Sequence, residues 1–447
     1  MRIVAAVLPA LLVATLAGCL DGPDAPSDGD ASRPALPHLG FLPPVDLLCP
    51  SEGAGQVLNA AFGDCGKFGE PVLEVAGDGA VWASATCCVG RSPPIWVSRD
   101  GGASFGLLPF ADRTGVVRDA FGIEGDFGID DAGNAYFFDI SAASSWFSKY
   151  RADGTHVFTK ADVFPPLVDR PWVRGGVEDE AWVFYNTGSA TNLFHSVDGG
   201  LTWTVTPFGF ECGLMAIGQG VSRDDLFVAG CTDAPALWVS HDGGATFGPR
   251  IDLPVPDLGV RPEDLPNGTG AYPEMPPVAD EAGNVYVPFT WTLDRDGHRQ
   301  GIYVDVVHPD GRIVGPLLVS GGLAWNEMPW GAAASEGRFA VAWYAANVSR
   351  PEAKDAVWQL KVAATVDGGS DVPLFQVADA DPEPVLQGQA LGRNLGDFLQ
   401  SDIGPDGRLY TIYARRGDDG RLVNRVVVSD GALAFGAGIP RNGPSPG

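Results

Sequence analysis

Along this chain, short runs in which apolar and aromatic residues alternate are set off by polar turns, without the 3.6-residue rhythm of a helix. The runs come in pairs around turns rich in Gly or acidic residues. Seven such stretches stand out: Val75–Ser84, Gly128–Asp139, Gly176–Asn186, Ser222–Cys231, Val278–Phe289, Ser335–Ala345 and Gly404–Ala414. Each predicts a β-hairpin of two short, strongly β-prone strands. No long helical pattern interrupts them, and 60 Gly with 37 Pro suit a turn-dense, all-β chain.

A second motif falls between the hairpins. Ser98-Arg99-Asp100-Gly101-Gly102-Ala103-Ser104-Phe105 returns as Ser196-Val197-Asp198-Gly199-Gly200-Leu201-Thr202-Trp203 and as Ser240-His241-Asp242-Gly243-Gly244-Ala245-Thr246-Phe247. Thr365-Val366-Asp367-Gly368-Gly369 begins the same way and then diverges, while Asp153-Gly154, Asp310-Gly311 and Asp430-Gly431 keep only the turn. The Asp suits a turn whose N–H groups need an acceptor, the Gly supplies positive φ, and the aromatic returns to pack between strands. The pattern resembles the Asp-box, or BNR repeat, of the sialidase-like β-propellers. Repeats of this kind, with seven inner hairpins each followed by an outer turn, imply seven four-stranded antiparallel blades closed in a ring. Six blades, the number in sialidases, is the alternative. In that family the box is structural, so Asp100, Asp198, Asp242 and Asp367 are expected to hold turns.

The chain opens like an export signal. Arg2 is the only charge before Ile3–Leu16, a run broken only by Pro9 and Thr15, and Leu16-Ala17-Gly18-Cys19 looks like a lipobox. Residues 1–18 are therefore expected to be a removable signal peptide, with the lipid on Cys19; an ordinary signal peptide with an incidental Cys is the alternative. The apolar run is short for a membrane span. Residues 19–44, rich in Asp, Gly, Pro, Ala and Ser, read as a flexible tether, and residues 45–447 as a single propeller domain. These readings place the protein outside the cell, held to its membrane through the lipid alone.

A formal charge of −27 argues against nucleic acid and anionic headgroups as partners. With Cys19 assigned to the lipid, Cys49, Cys65, Cys87, Cys88, Cys212 and Cys231 remain. An even number in an exported chain reads as disulfides. Cys212 and Cys231 lie almost symmetrically about Ser222-Arg223-Asp224 and are the favoured pair. No Cys-x-x-Cys or His cluster supports zinc instead.

Each unit also places a carboxylate just before its inner strand, where a propeller has its channel mouth. These are Glu70, Asp126, Asp169 (followed by Arg170), Glu211, Glu274, Glu327 and Asp397. Tyr272-Pro273-Glu274-Met275-Pro276 and Trp325-Asn326-Glu327-Met328-Pro329 are close variants. Converging carboxylates suit Ca²⁺, the acid and base of a glycosidase, or sugar hydroxyls with Trp172, Tyr272, Trp325 and Trp330 as stacking surfaces. The plainer reading is that they accept backbone N–H groups of neighbouring blades. The resemblance to sialidases implies three arginines around the substrate carboxylate, a Tyr–Glu nucleophile and an Asp acid/base. The family's Phe/Tyr-Arg-Ile-Pro motif is missing; Arg170, Arg393 and either Arg415 or Arg416, with Tyr272 beside Glu274, are the nearest candidates, without a residue-by-residue match.

The expectation is a monomeric, lipid-anchored propeller that binds a glycan, surface polymer or protein partner at its channel mouth. A glycoside hydrolase using the blade-entry carboxylates, with catalytic residues unassigned, and a non-catalytic scaffold are the alternatives. No cofactor is expected, Ca²⁺ aside.

Overall fold

The computed structural model describes residues 38–47, 69–85, 93–109, 122–141, 145–161, 168–187, 190–208, 215–220, 224–230, 234–259, 276–349, 353–388, 395–396, 398–417 and 422–433. The six cysteines discussed above, the Cys212–Cys231 pair among them, lie outside these residues, as do Cys19 and the N-terminal leader.

The paired runs of the sequence become seven antiparallel sheets, and no helix occurs among the described residues. After β1 (Val45–Asp46), the first blade holds β2 (Val72–Val75), β3 (Val81–Ser84), β4 (Ile95–Ser98) and β5 (Gly106–Leu107). The second holds β6 (Gly122–Ile129), β7 (Ala135–Ser141), β8 (Ser145–Tyr150) and β9 (His156–Ala161). The third holds β10 (Val168–Gly175), β11 (Ala181–Thr187), β12 (Ala190–Ser196) and β13 (Thr204–Phe208). Blade four comprises β14 (Met215–Gln219), β15 (Leu226–Gly230), β16 (Ala236–Ser240) and β17 (Ile251–Asp252). Blade five comprises β18 (Val278–Ala279), β19 (Val285–Thr292), β20 (Gln300–Val307) and β21 (Ile313–Leu318). Blade six comprises β22 (Trp325–Ala333), β23 (Phe339–Ala346), β24 (Val357–Thr365) and β25 (Gln376–Asp379), with β26 (Leu386–Gln387) also on β24. The last blade is β27 (Gln400–Ile403), β28 (Leu409–Arg416) and β29 (Leu422–Val428), completed on its outside by β1.

Both faces of a blade are covered by its neighbours, so the middle strands are largely apolar; every residue of β19 and β23 is buried. Tyr136, Phe138 and Ile140 of blade two pack on Val173, Val183 and Tyr185 of blade three. Tyr286, Ile302 and Val304 of blade five meet Phe339, Val341 and Trp343 of blade six. Near the axis the inner strands crowd together, and a Cβ on Gly218 of β14 would lie 1.7 Å from the Pro277 carbonyl oxygen.

The hairpins give the ring two distinct faces. Turns between first and second strands, and between third and fourth, share one face, called here the hairpin face. The Ser-x-Asp turns lie on it, bonded to the inner turns: the Gly243 N–H donates to the Asp224 carbonyl at 3.0 Å, and Gly368 to Gly337 at 2.8 Å. In each full motif the Asp accepts from the Ser/Thr two residues beyond the second Gly. For Asp198 the Thr202 hydroxyl donates at 2.6 Å and its N–H at 2.8 Å, while the Ser196 hydroxyl donates at 2.9 Å. The Thr202 hydroxyl, then its N–H, hold the Asp198 carboxyl down at about 2. Asp100 and Asp242 are lowered for the same reason, by Ser104 and Thr246. Asp367 accepts from Thr365 at 2.6 Å and from the Leu374 N–H, reached over the longer turn of blade six.

A second set of aspartates latches blade to blade on this face. Asp130 Oδ2 accepts from Tyr136, Asn134 and the Asp179 N–H of the next blade, at 2.7, 2.9 and 3.0 Å. Asp280 Oδ2 does the same with Tyr286, Asn284 and the Gly337 N–H, at 2.7, 2.8 and 2.8 Å. The Asp130–Asn134 stretch, which superficially resembles a Ca²⁺ loop, is thus a turn filled by protein donors.

Ring closure joins the two ends of the body. Val45 and Asp46 pair with Val426 and Arg425, and Phe41 bridges to Ser429. Residues 38–44, assigned by composition to the tether, are thus already tied to blade seven. Arg425 donates to Asp46 at 2.6 Å and to the buried Asp381 of blade six at 3.1 Å, and Tyr413 donates to the same Asp381 carboxylate at 2.5 Å.

One buried carboxyl takes no part in any of this. Asp305, on β20, is fully buried, and neither of its oxygens has a hydrogen-bond partner. It faces the blade-four side with Val287 and Val307, at a register shift where a Cβ on Gly315 would lie 1.9 Å from Oδ1. Burial pushes it from 3.8 up to about 8. The folded state therefore holds this proton more tightly than the unfolded chain. Its stabilising effect is complete below about pH 4 and is lost as pH rises through about 8, at up to ~1.4 kcal/mol per pH unit. Asp305→Asn keeps the shape without the charge. Its denaturation midpoints should decline less between pH 5 and 9 than those of the wild type, with a gain of about 2 kcal/mol or more at pH 8. Parallel pH profiles would show that this carboxyl does not matter to folding.

Candidate functional site

The face opposite the hairpins is where each inner strand begins, and a shared backbone device shapes it. Glu70, Arg170 and Met328 each precede a proline and each have positive φ, at 51°, 52° and 57°. These are costly conformations for residues with a Cβ, and they recur at the same place in blades one, three and six. Strand register slips here, between Asp169 and Trp172 and between Glu327 and Trp330, because Pro171 and Pro329 have no N–H for the ladder. The residue before the proline is thereby bulged out of the strand.

Just below, the channel is filled. Trp172, Trp330 and Phe398 come from blades three, six and the entry to seven. Their ring centroids are 5.5 Å (Trp172–Trp330), 5.7 Å (Trp172–Phe398) and 6.1 Å (Trp330–Phe398) apart. All three are buried. The Trp172 indole N–H donates to the Met215 carbonyl at 3.2 Å. The Arg170 guanidinium lies 5.6 Å from the Phe398 ring centroid, a cation–π contact. Trp325, half-buried on β22, donates its indole N–H to Glu327 Oε2 at 2.8 Å. Glu70 is buried where the crossover into blade seven passes: a Cβ on Gly396 would sit 2.5 Å from its backbone nitrogen.

Asp126 has a different role from the other entry carboxylates. It is buried in β6, where Oδ2 accepts the Val173 N–H of blade three at 2.9 Å and Arg174 at 3.2 Å. Its Oδ1 accepts the Gln400 amide of blade seven at 3.0 Å. Burial pushes the carboxyl up, against the pull of Arg174, Gln400 and the Val173 N–H. Gln400 Oε1 in turn accepts the Leu73 N–H of blade one at 2.7 Å, and Asp402 Oδ2 accepts Val75 N–H at 2.9 Å. Four blades are joined across the channel by this chain of bonds. For Asp126 the plainer reading, a carboxylate accepting a neighbouring blade's N–H, describes the geometry.

The aromatic floor therefore brings together Arg170, Trp172, Trp330 and Phe398, while Glu327 is oriented by Trp325. Asp169 sits in β10 opposite Asn186, and its side chain is outside the description. Glu211, Tyr272, Glu274, Arg393 and Asp397 also lie outside the described residues. Arg415 is engaged elsewhere, with Glu383 at 2.9 Å and the Pro384 carbonyl at 3.1 Å. Among the described residues no group of three or more His, Cys, Asp or Glu is arranged to hold a metal ion. Nothing local in the sequence marks Gln400 and Asp402 as clamp residues or Phe398 as part of the floor. A search for charge passes over a neutral amide, although Gln400 and Asp402 stand two apart, on one face of β27.

No protein-family profile matches the chain, and no curated protein does either. Solved structures similar to it in fold include a mutant of Trypanosoma rangeli sialidase displaying trans-sialidase activity, at 12% identity and TM-score 0.39, covering 81% of this chain and 54% of that one. The chain thus spans about half the length of that sialidase. The intramolecular trans-sialidase from Ruminococcus gnavus is similar at 11% identity and TM-score 0.41, covering 83% and 96%. A protein of unknown function from Dyadobacter fermentans is similar at 11% identity and TM-score 0.47, covering 88% and 99%. The fold itself, read from its seven sheets, is a seven-bladed β-propeller of four-stranded antiparallel blades.

If Asp126 is a clamp, Asp126→Ala strands the Val173 N–H, the Gln400 amide and Arg174 in a buried site. It should lower stability by about 3 kcal/mol or more. A denaturation curve superimposable on the wild type would remove the clamp.

Proposed function

We propose that this protein is an exported, lipid-anchored propeller that binds a glycan or a surface partner at its channel mouth. The observation that carries the reading is the mouth's construction. Three blades raise their pre-proline residues around an aromatic floor of Trp172, Trp330 and Phe398, with Arg170 over it and the Trp325–Glu327 pair at its edge. Aromatic faces suit the apolar faces of sugar rings, and a fixed carboxylate suits hydroxyl pairs. The floor closes the channel beneath, which favours a ligand held at the mouth over one that threads the ring. Lipid attachment rests on Leu16-Ala17-Gly18-Cys19, and placement at the outer face of the membrane follows from it.

Two measurements test the two halves separately. In cells fed an alkyne-bearing fatty acid the wild-type chain should take up label and Cys19→Ala should not; equal labelling of both sinks the anchor. On a glycan array the purified protein should retain a defined set of glycans, and Trp325→Ala should weaken that binding about tenfold, or ~1.4 kcal/mol. Turnover of a glycoside that disappears in Glu327→Gln would replace binding by hydrolysis. Protein capture with no glycan retained would favour the scaffold.

A further inference from the structure

We propose that the latch between blades five and six is acid-sensitive, released when His308 takes a second proton, while its twin between blades two and three is not. The two latches are built from matching local sequences, Asp280-Glu281-Ala282-Gly283-Asn284-Val285-Tyr286 and Asp130-Asp131-Ala132-Gly133-Asn134-Ala135-Tyr136. In each, the Asp accepts from the Asn, from the Tyr and from a backbone N–H of the next blade, Gly337 or Asp179. The outer hairpins beside them match as well. His308 N–H donates to the Arg312 carbonyl at 2.8 Å, and Arg151 N–H to the Thr155 carbonyl at 2.9 Å. One position differs in kind: Arg151 is exposed, whereas His308 is buried at 6% exposure.

Hydrogen bonding fixes which nitrogen of His308 carries the hydrogen. The Asn284 amide nitrogen donates to Asp280 at 2.8 Å, so its oxygen is the acceptor that His308 Nδ1 meets at 2.7 Å. Nδ1 therefore holds the hydrogen of the neutral ring, and Nε2 holds the lone pair. That Nε2 is buried and has no hydrogen-bond partner among the described residues. A second proton places a donor and a full charge there with nothing to accept them. Turning the ring out to water satisfies the new donor, but it breaks the bond to Asn284, which supports the Asp280 carboxylate. The Gly337 N–H of blade six, held by that carboxylate at 2.8 Å, loses its fixed partner.

The charged groups around the ring come from three turns. Arg312, on its own hairpin, opposes the second proton; Asp310 of the same turn, Asp371 of blade six and Asp280 favour it. Arg312 is itself paired with Asp371. Burial, then Arg312, holds the imidazole below its ordinary 6.5, in line with the geometry. The unfolded chain thus binds this proton more readily than the folded one. Stabilisation from the neutral ring is complete above about pH 6.5 and is lost as pH falls below it. Asp305, on the same strand, responds in the opposite sense, because its stabilising effect grows as pH falls. It is no source of an acid release.

Amide hydrogen exchange of the full chain, read by mass spectrometry, tests the proposal. Peptides covering 280–286 and 334–340 report on the first latch, and those covering 130–136 and 176–182 on its twin. With the intrinsic pH dependence of exchange divided out, a shift from about pH 7.5 to about pH 5 should lower protection at the first latch about threefold or more, and leave the twin unchanged. His308→Asn keeps an N–H donor in place of Nδ1 and does not titrate, so the loss should vanish in it. Asp305 is present in both chains, and its contribution cancels in the comparison. Equal losses at the two latches, no loss at either, or a loss that persists in His308→Asn overturns the proposal. Exchange of the His308 C2 proton in the wild type gives a second reading that needs no variant. Its midpoint should fall below that of a free histidine side chain, and a midpoint at or above that value overturns the proposal as well.

Discussion

A ring of sheets is stable only while its last sheet meets its first. Here that junction is made by a strand from the other end of the body. β1 supplies the outer edge of blade seven, and Arg425 ties it through Asp46 to Asp381 on blade six. Without the junction, blades one and seven would each present an apolar face to water, including Leu73, Val81, Trp96, Ile412 and Val426. An open ring would expose the kind of surface that elsewhere keeps the middle strands largely apolar on both sides.

Closure also dictates where polar groups are needed. Inner strands converge until only glycine fits at points such as Gly218, and N–H groups on their unpaired, channel-facing edges need acceptors from the protein. Asp126, Gln400 and Asp402 supply acceptors at the channel, and Asp130 and Asp280 do so on the hairpin face. Acidic residues that look like a reactive ring in the sequence thus divide into two groups. Some are used up in holding blades together. Others, with Arg170 and the tryptophans, remain at a mouth whose floor is closed by Trp172, Trp330 and Phe398.

Much of the fold was legible in the chain because its causes are local. A run of four to eight β-prone apolar and aromatic residues makes a strand, and Asp with Gly at fixed offsets makes a turn. Seven repetitions of that pair therefore announce seven blades before any long-range contact is considered. The Ser-x-Asp turns were equally readable, since every donor to Asp198 lies within four residues of it. The mouth was only half legible. Proline after Glu70, Arg170 and Met328 marks the strand entries, but nothing nearby says which carboxylates will face outward.

What folding alone settled are the partnerships between residues far apart in the chain. Asp126 meets a glutamine 274 positions away, and Asp46 an arginine 379 positions away. Phe398 enters a channel whose other walls are blades three and six. Asp305 reads as an ordinary polar position in β20, and becomes an isolated buried acid only when blade four covers it. Such outcomes depend on how seven twisted sheets divide the space around one axis. Hydrogen-bond and burial demands at that axis are properties of the closed ring and belong to no single segment of it.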